Sequence, residues 1–288
     1  FGIITKKYEI ISIISFLIPF LLIGLVEDIT LNFRVSIRFF LIFLSASIFV
    51  IVTNTILENI DLEIFNYIFS YKYIPLIFTV LGITSTVNAW NFLDGLNGLS
   101  SGVGITVLSG ILILNFGTNN LNLDIIIITF IASMLSFLIV NIVTGRVFLG
   151  DAGTYYTGAL IAWAGINYSS QNVNNLAWSI FLMIIYPAVE LIFSVIRRIY
   201  NKKSPFKADN LHLHTLVYLF FLKKYNPKSK VRLNSFCGLI LVLFGSVPIF
   251  MAILFKNNLI LTIYSLFIFI IIYLLLYCIF YFSLNKYD

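Results

Sequence analysis

Long apolar runs separated by short polar breaks occupy almost the whole chain, and within the runs hydrophobic residues follow one another without alternating. A helix needs about 20 apolar residues to cross the hydrocarbon core, whereas barrel strands alternate at every second position. The pattern therefore predicts helices. Nine spans are expected, at about residues 8 to 26, 37 to 54, 73 to 89, 97 to 115, 124 to 143, 154 to 168, 176 to 196, 233 to 255 and 259 to 283. Nine is odd, so the two chain ends should lie on opposite sides of the bilayer.

Composition agrees with this pattern. Of 288 residues, 60% are hydrophobic and only 10% charged, with a mean hydropathy of +1.02, whereas soluble domains carry about 25% charge. The expectation is an all-α integral membrane protein, a polytopic bundle of about nine transmembrane helices. A disordered chain is excluded, and so is a soluble nucleic-acid binder despite the net charge of +6. Cys237 and Cys278 lie in apolar runs with no Cys-x-x-Cys spacing and read as inert thiols. Phe1 is no initiator and Phe1-Gly2-Ile3-Ile4 is too short for a signal peptide, so the sequence is expected to be cut at its start.

Charge changes the picture through its position. Fourteen of the 18 Lys and Arg residues fall in one set of connections, among them Arg34, Arg38, Arg146, Arg197, Arg198 and the stretch from Lys202 to Arg232, with Lys286 at the tail. The other set holds Lys6, Lys7, Lys72 and Lys256. Cytoplasmic loops carry the basic excess, which places the first set, and the carboxyl terminus, in the cytoplasm.

That same side gathers carboxylates at helix ends: Glu27 and Asp28 in GLVED, Asp94 in NAWNFLDGLNGL, Asp151 in FLGDAGTYYTG and Asp209 in KADNLHLH. Taken singly each reads equally well as a solvated helix end; together they point to a site or an ion path, because carboxylates near hydrocarbon are costly. His212 and His214 follow a dense basic stretch, which suits either anionic lipid or a phosphate ligand. Gly95 and Gly98 flank Asn97, and Gly150 and Gly153 flank Asp151, so both loops can turn tightly around a ligand. Asn88 and Asn91 add uncharged donors and acceptors. Carboxylates on tight loops facing cationic donors are the inventory of Mg²⁺-dependent phosphate chemistry, here at a cytoplasmic membrane face.

At these residues the chain resembles the polyprenyl-phosphate N-acetylhexosamine-1-phosphate transferases, the glycosyltransferase family 4 enzymes of the MraY and WecA types. The matching motifs are GLVEDITLNFRVSIRF, NAWNFLDGLNGLSSG, FLGDAGTYYTG and RRIYNKKSPFKADNLHLH, in the expected order. The resemblance implies transfer of a HexNAc-1-phosphate from a UDP-sugar such as UDP-N-acetylglucosamine to undecaprenyl phosphate, with UMP released and a lipid-linked glycan begun, as in cell wall or lipopolysaccharide biosynthesis. It implies Mg²⁺, with Mn²⁺ as a substitute, a multi-pass protein of the bacterial plasma membrane with its site on the cytoplasmic face, and a homodimer as an allowed assembly.

Carried over by motif, Glu27 and Asp28 position or deprotonate the lipid phosphate, and Asp94 belongs to the catalytic loop. Asp151 is the metal ligand. Asn91, His212 and His214 fall to the substrates by the same motifs, and Asn88, Asn97 and Asp209 are expected to join them from their place in the same loops. Glu27 stands where the family has Asp, Asn97 where many members have a second Asp, and Thr215 where a third His is frequent. These departures favour the WecA-like branch over the peptidoglycan-precursor branch. The nine spans match the last nine of eleven, so residues 1–288 are expected to form a single domain lacking its first two spans. Glu190 takes a place where the family often has Asp, and reads equally as a packing contact. Two alternatives stand beside the enzyme: a transporter, and a non-catalytic or truncated relative.

Overall fold

The computed structural model of the chain describes residues 2–30, 34–60, 62–116, 118, 120–170, 176–204, 209 and 211–285. The side chains of Lys6, Lys7, Lys207 and Lys286, counted above in the charge asymmetry, lie outside what is described. The described residues form twelve α-helices and no strand: α1 (Gly2–Thr30), α2 (Val35–Thr53), α3 (Glu63–Phe69), α4 (Ile74–Phe92), α5 (Leu99–Asn115), α6 (Leu121–Thr144), α7 (Gly150–Ser170), α8 (Leu176–Met183), α9 (Ile185–Tyr200), α10 (Leu213–Tyr225), α11 (Lys230–Leu254) and α12 (Leu259–Asn285).

Local sequence sets many of the boundaries. Pro75 opens α4 where no intrahelical N–H is needed. Asn120 and Ser229 accept the Leu123 and Arg232 amides at the starts of α6 and α11. Gly145, at φ 58°, closes α6 in the left-handed region. Between α8 and α9 the axis turns by 68°; Pro187, lacking an N–H for the carbonyl four residues earlier, weakens the helix at that point.

Each expected span coincides with a helix or with the bent pair α8–α9, and the protein is an all-α polytopic bundle. The expected count of nine is not confirmed among the described residues. Among the described residues five helices are long and apolar enough to cross a membrane, namely α1 over Ile11–Thr30, α2, α6, α11 and α12, and six if α8–α9 is one span. The helices that fall short are α4, α5 and α7. Their positions in the bundle give the reason: they turn much of their surface to protein. On α7, Thr154, Thr157, Gly158 and Gly165 are buried, and a Cβ on Gly158 would sit 2.7 Å from the Cα of Val87 in α4. Small residues let backbones approach closely inside a bundle. On α4, Thr79, Thr84 and Thr86 return their hydroxyls to carbonyls of their own helix. The outer helices instead present large side chains outward, such as Ile260 (65% exposed) and Phe267 (57%) on α12.

Candidate active site

The last turn of α1, the first turns of α2 and α7, and the loop joining α4 to α5 meet at one end of the bundle. Glu27 at the end of α1 is ion-paired with Arg38 of α2 and accepts a 2.9 Å hydrogen bond from the Tyr155 hydroxyl of α7. Arg38 also lies 3.9 Å from the Asp151 carboxylate. Asn91, on the last turn of α4, donates to the other Asp151 oxygen. Asp94 accepts the Gly150 amide at 3.1 Å, and Asp28 accepts the amides of Asp151 and Ala152 at 2.9 and 3.1 Å.

Crowding of acids has an electrostatic consequence. Burial pushes the Asp94 carboxyl up to about 6, with the Asp28 charge adding to it and the Gly150 amide opposing. Asp151 is pushed up to about 7 by burial and then by neighbouring Glu27, against the pull of Asn91 and Arg38. A divalent cation would relieve this excess negative charge. Among the described residues no three His, Cys, Asp or Glu side chains converge into a closed metal cage. Mg²⁺ does not require one, since it commonly takes one or two carboxylates and completes its shell with waters and substrate phosphates. The acidic donor set fits such an ion.

The segment that leads into α10 packs against the end of α4 and the loop that carries Asp94. The His212 and His214 rings are stacked in parallel with centroids 5.3 Å apart. His212 Nδ1 is 3.3 Å from Glu190 Oε2 of α9, and Phe92 packs edge-on against its ring at 5.1 Å. His214 is buried, which lowers its imidazole to about 4 and keeps it neutral. It lies directly over Gly95, where any Cβ would overlap the ring. Burial acts to raise the Asp209 carboxyl, but Arg197, the Leu211 amide and Ser194 outweigh it and hold the group below its usual range.

A cavity of about 810 Å³ is lined by Glu27, Arg38, Asn88, Asn91 and Asp94 together with Arg198, Asp209, His212 and His214. Ser85, Leu191 and Ile192 also line a neighbouring apolar cavity of about 240 Å³ between α4, α7 and the bent pair. A polar groove thus adjoins an apolar slot.

Of the ten residues singled out in sequence, seven line the polar groove: Glu27, Asn88, Asn91, Asp94, Asp209, His212 and His214. Asp151 is joined to that wall through Asn91 and Arg38. Asp209 has its carboxylate committed to Arg197, Arg198, Ser194 and the Leu211 amide. Asn97 turns away and is buried against α11, where Asn234 accepts its amide at 2.6 Å and its side chain donates to Ser235 at 3.2 Å. Asp28 is absent from the groove wall. Arg38, Tyr155 and Arg198 were not singled out. Arg38 and Arg198 had a signal, as cations at the polar ends of apolar helices, but it merged with the general basic excess; Tyr155 had none.

The family model described as glycosyl transferase family 4 matches residues 10–169. The chain is 30% identical over 200 residues to the undecaprenyl-phosphate alpha-N-acetylglucosaminyl 1-phosphate transferase of Thermotoga maritima, covering 69% of this chain and 58% of that protein. It is 29% identical over 160 residues to the decaprenyl-phosphate N-acetylglucosaminephosphotransferase of Mycobacterium leprae, covering 48% of this chain and 40% of that one. To the Escherichia coli K12 undecaprenyl-phosphate alpha-N-acetylglucosaminyl 1-phosphate transferase it is 27% identical over 144 residues, covering 48% and 39%. The chain thus spans roughly two-fifths to three-fifths of the length of these curated relatives.

Proposed function

The chain belongs to glycosyl transferase family 4, and from that premise we propose that it transfers a sugar-1-phosphate, a HexNAc-1-phosphate, from a UDP-sugar to undecaprenyl phosphate. The observation that carries this reading is the junction of two cavities: a polar groove rimmed by carboxylates and cations adjoins an apolar slot through Ser85, Leu191 and Ile192. A nucleotide sugar arrives from water and a polyprenyl phosphate from the bilayer. A site serving both needs a charged chamber that opens onto an apolar one.

In the proposed reaction an oxygen of the lipid phosphate bonds to the sugar-bearing phosphorus. The bond from that phosphorus to the bridging oxygen breaks, and UMP leaves with the electron pair. Little covalent chemistry falls to the protein, so its residues act by positioning and by balancing charge. Asp151 would hold Mg²⁺, which supplies charge neutralisation on the donor's phosphates when bound. Asn91 orients Asp151 through its amide. Glu27 stays paired with Arg38 and Tyr155, leaving Asp94 as the carboxylate of the catalytic loop that faces the groove. Arg198, and His212 with both ring nitrogens protonated, are the donors for phosphate oxygens in the same groove. His214, neutral and buried, stacks on His212 and supports its ring. The basic excess in the connections at this end supports a cytoplasmic groove in a bacterial plasma membrane.

The test is incubation with UDP-HexNAc donors, undecaprenyl phosphate and Mg²⁺, following the released nucleotide. UMP is expected. Release of UDP would mean ordinary glycosyl transfer, and no release with any donor would favour a non-catalytic relative.

A further inference from the structure

We propose that Asp28 is a positioning residue: its carboxylate caps α7 from a different helix and fixes the turn that carries Asp151. Neighbouring residues on a helix project about 100° apart, so Glu27 and Asp28 cannot share a role. Glu27 turns to Arg38 and lines the groove, whereas Asp28 turns to the start of α7.

The first amides of a helix have no partner within it, and a carboxylate is favoured there by hydrogen bonding and by the helix dipole. Leu149, the residue before α7, has no side-chain acceptor to offer. Side chains from elsewhere fill the gap. Asp94 takes the Gly150 amide, and the two oxygens of Asp28 take those of Asp151 and Ala152. Three successive amides are thereby held from the α1 end and from the α4–α5 loop.

Two glycines make the contact sterically feasible. A Cβ on Gly24 would run into the backbone of Asp151 and Ala152, so α1 can lie against the start of α7 only without one. Gly150 has φ 68°, and a Cβ there would sit 2.7 Å from Asp28 Oδ2. The same side chain that closes off the amides therefore also leaves no room for a side chain at residue 150.

This inference deepens the transferase reading and rests on it only in the activity arm of its test. The primary measurement is hydrogen–deuterium exchange over residues 147 to 155 in the bilayer-reconstituted protein, which needs no turnover. Asp28→Ala should speed exchange of the Asp151 and Ala152 amides by on the order of tenfold, the loss expected for charge-assisted hydrogen bonds. Asp28→Asn, which keeps one acceptor oxygen, should speed it less. UMP release should follow the same ranking, with Asp28→Asn recovering most of the turnover and the shape of the pH profile unchanged.

Unaltered exchange in Asp28→Ala overturns the proposal. So does an Asp28→Asn variant as inactive as Asp28→Ala with α7 still protected, because a base or ligand needs the charge and a cap does not. Should Asp28→Ala fail to fold, Asp28→Asn combined with Gly150→Ala decides: both act on one contact, so their effects on exchange should be less than additive, and full additivity counts against the cap. Wild-type protein that releases no UMP defeats the transferase reading while leaving the exchange result to stand on its own.

Discussion

His212 and Glu190 meet at 3.3 Å through Nδ1 and Oε2, on a segment and a helix 22 residues apart in sequence. Glu190 is buried. With Nδ1 committed to Glu190, the ring can donate to a phosphate from its other nitrogen only when it carries both protons, and the carboxylate is the counter-charge for that form. Glu190→Gln keeps the shape and removes the charge. It should lower turnover by about tenfold, the size expected for losing one charged hydrogen bond, with little change in KM for the UDP-sugar. Wild-type turnover would make Glu190 a packing contact only.

Asp151→Asn should nearly abolish transfer while the variant denatures at close to the wild-type temperature. The amide keeps the contact with Asn91 but removes the charge proposed to hold Mg²⁺. Activity within about threefold of wild type, a barrier change under roughly 1 kcal/mol, would exclude Asp151 from metal binding.

Asn97→Ala should cost stability rather than activity. Its side chain is spent on Ser235, and its position against α11 is so close that a Cβ on Gly238 would overlap the Asn97 carbonyl. Thermal unfolding should show a loss of about 1 kcal/mol with KM for the donor unaltered. A rise in KM at unchanged stability would return Asn97 to the substrate site.

His214 predicts a dependence on acid. Its folded value, about 4, lies below the ordinary 6.5 because burial disfavours the charged ring. Stability from this group is therefore fully present above pH 6.5 and is lost as pH falls through about 4, by on the order of 3 kcal/mol. Asp94, raised to about 6, works in the opposite sense, its contribution falling away as pH rises from the ordinary carboxylate range through 6. The two are separated by comparing wild type with His214→Gln between pH 4 and 7. The variant should lose less stability on acidification, and parallel curves would contradict a neutral His214.

The helices were legible in the chain because their cause is local: backbone hydrogen bonds close within four residues, and apolar runs mark where they lie. Pro75, Asn120, Gly145 and Ser229 set ends through their own chemistry. That Glu27, Asp94 and Asp151 gather at one end also followed from sequence, since each lies at a polar break between apolar runs. A run of apolar residues specifies nonpolar surroundings but does not distinguish lipid from protein, which is why, among the described residues, only five or six of the helices have membrane length and apolarity. Rotation about each helix axis was decided only by packing. Gly24 against the start of α7, and Gly158 against Val87, set how α1 and α4 face α7. That setting sends Glu27 into the groove and Asp28 to the amides of α7, recruits Arg38 between two acids, and turns Asn97 toward α11. Adjacent residues are equivalent in a polar break read as text; they diverge once neighbouring helices fix the azimuth of each side chain.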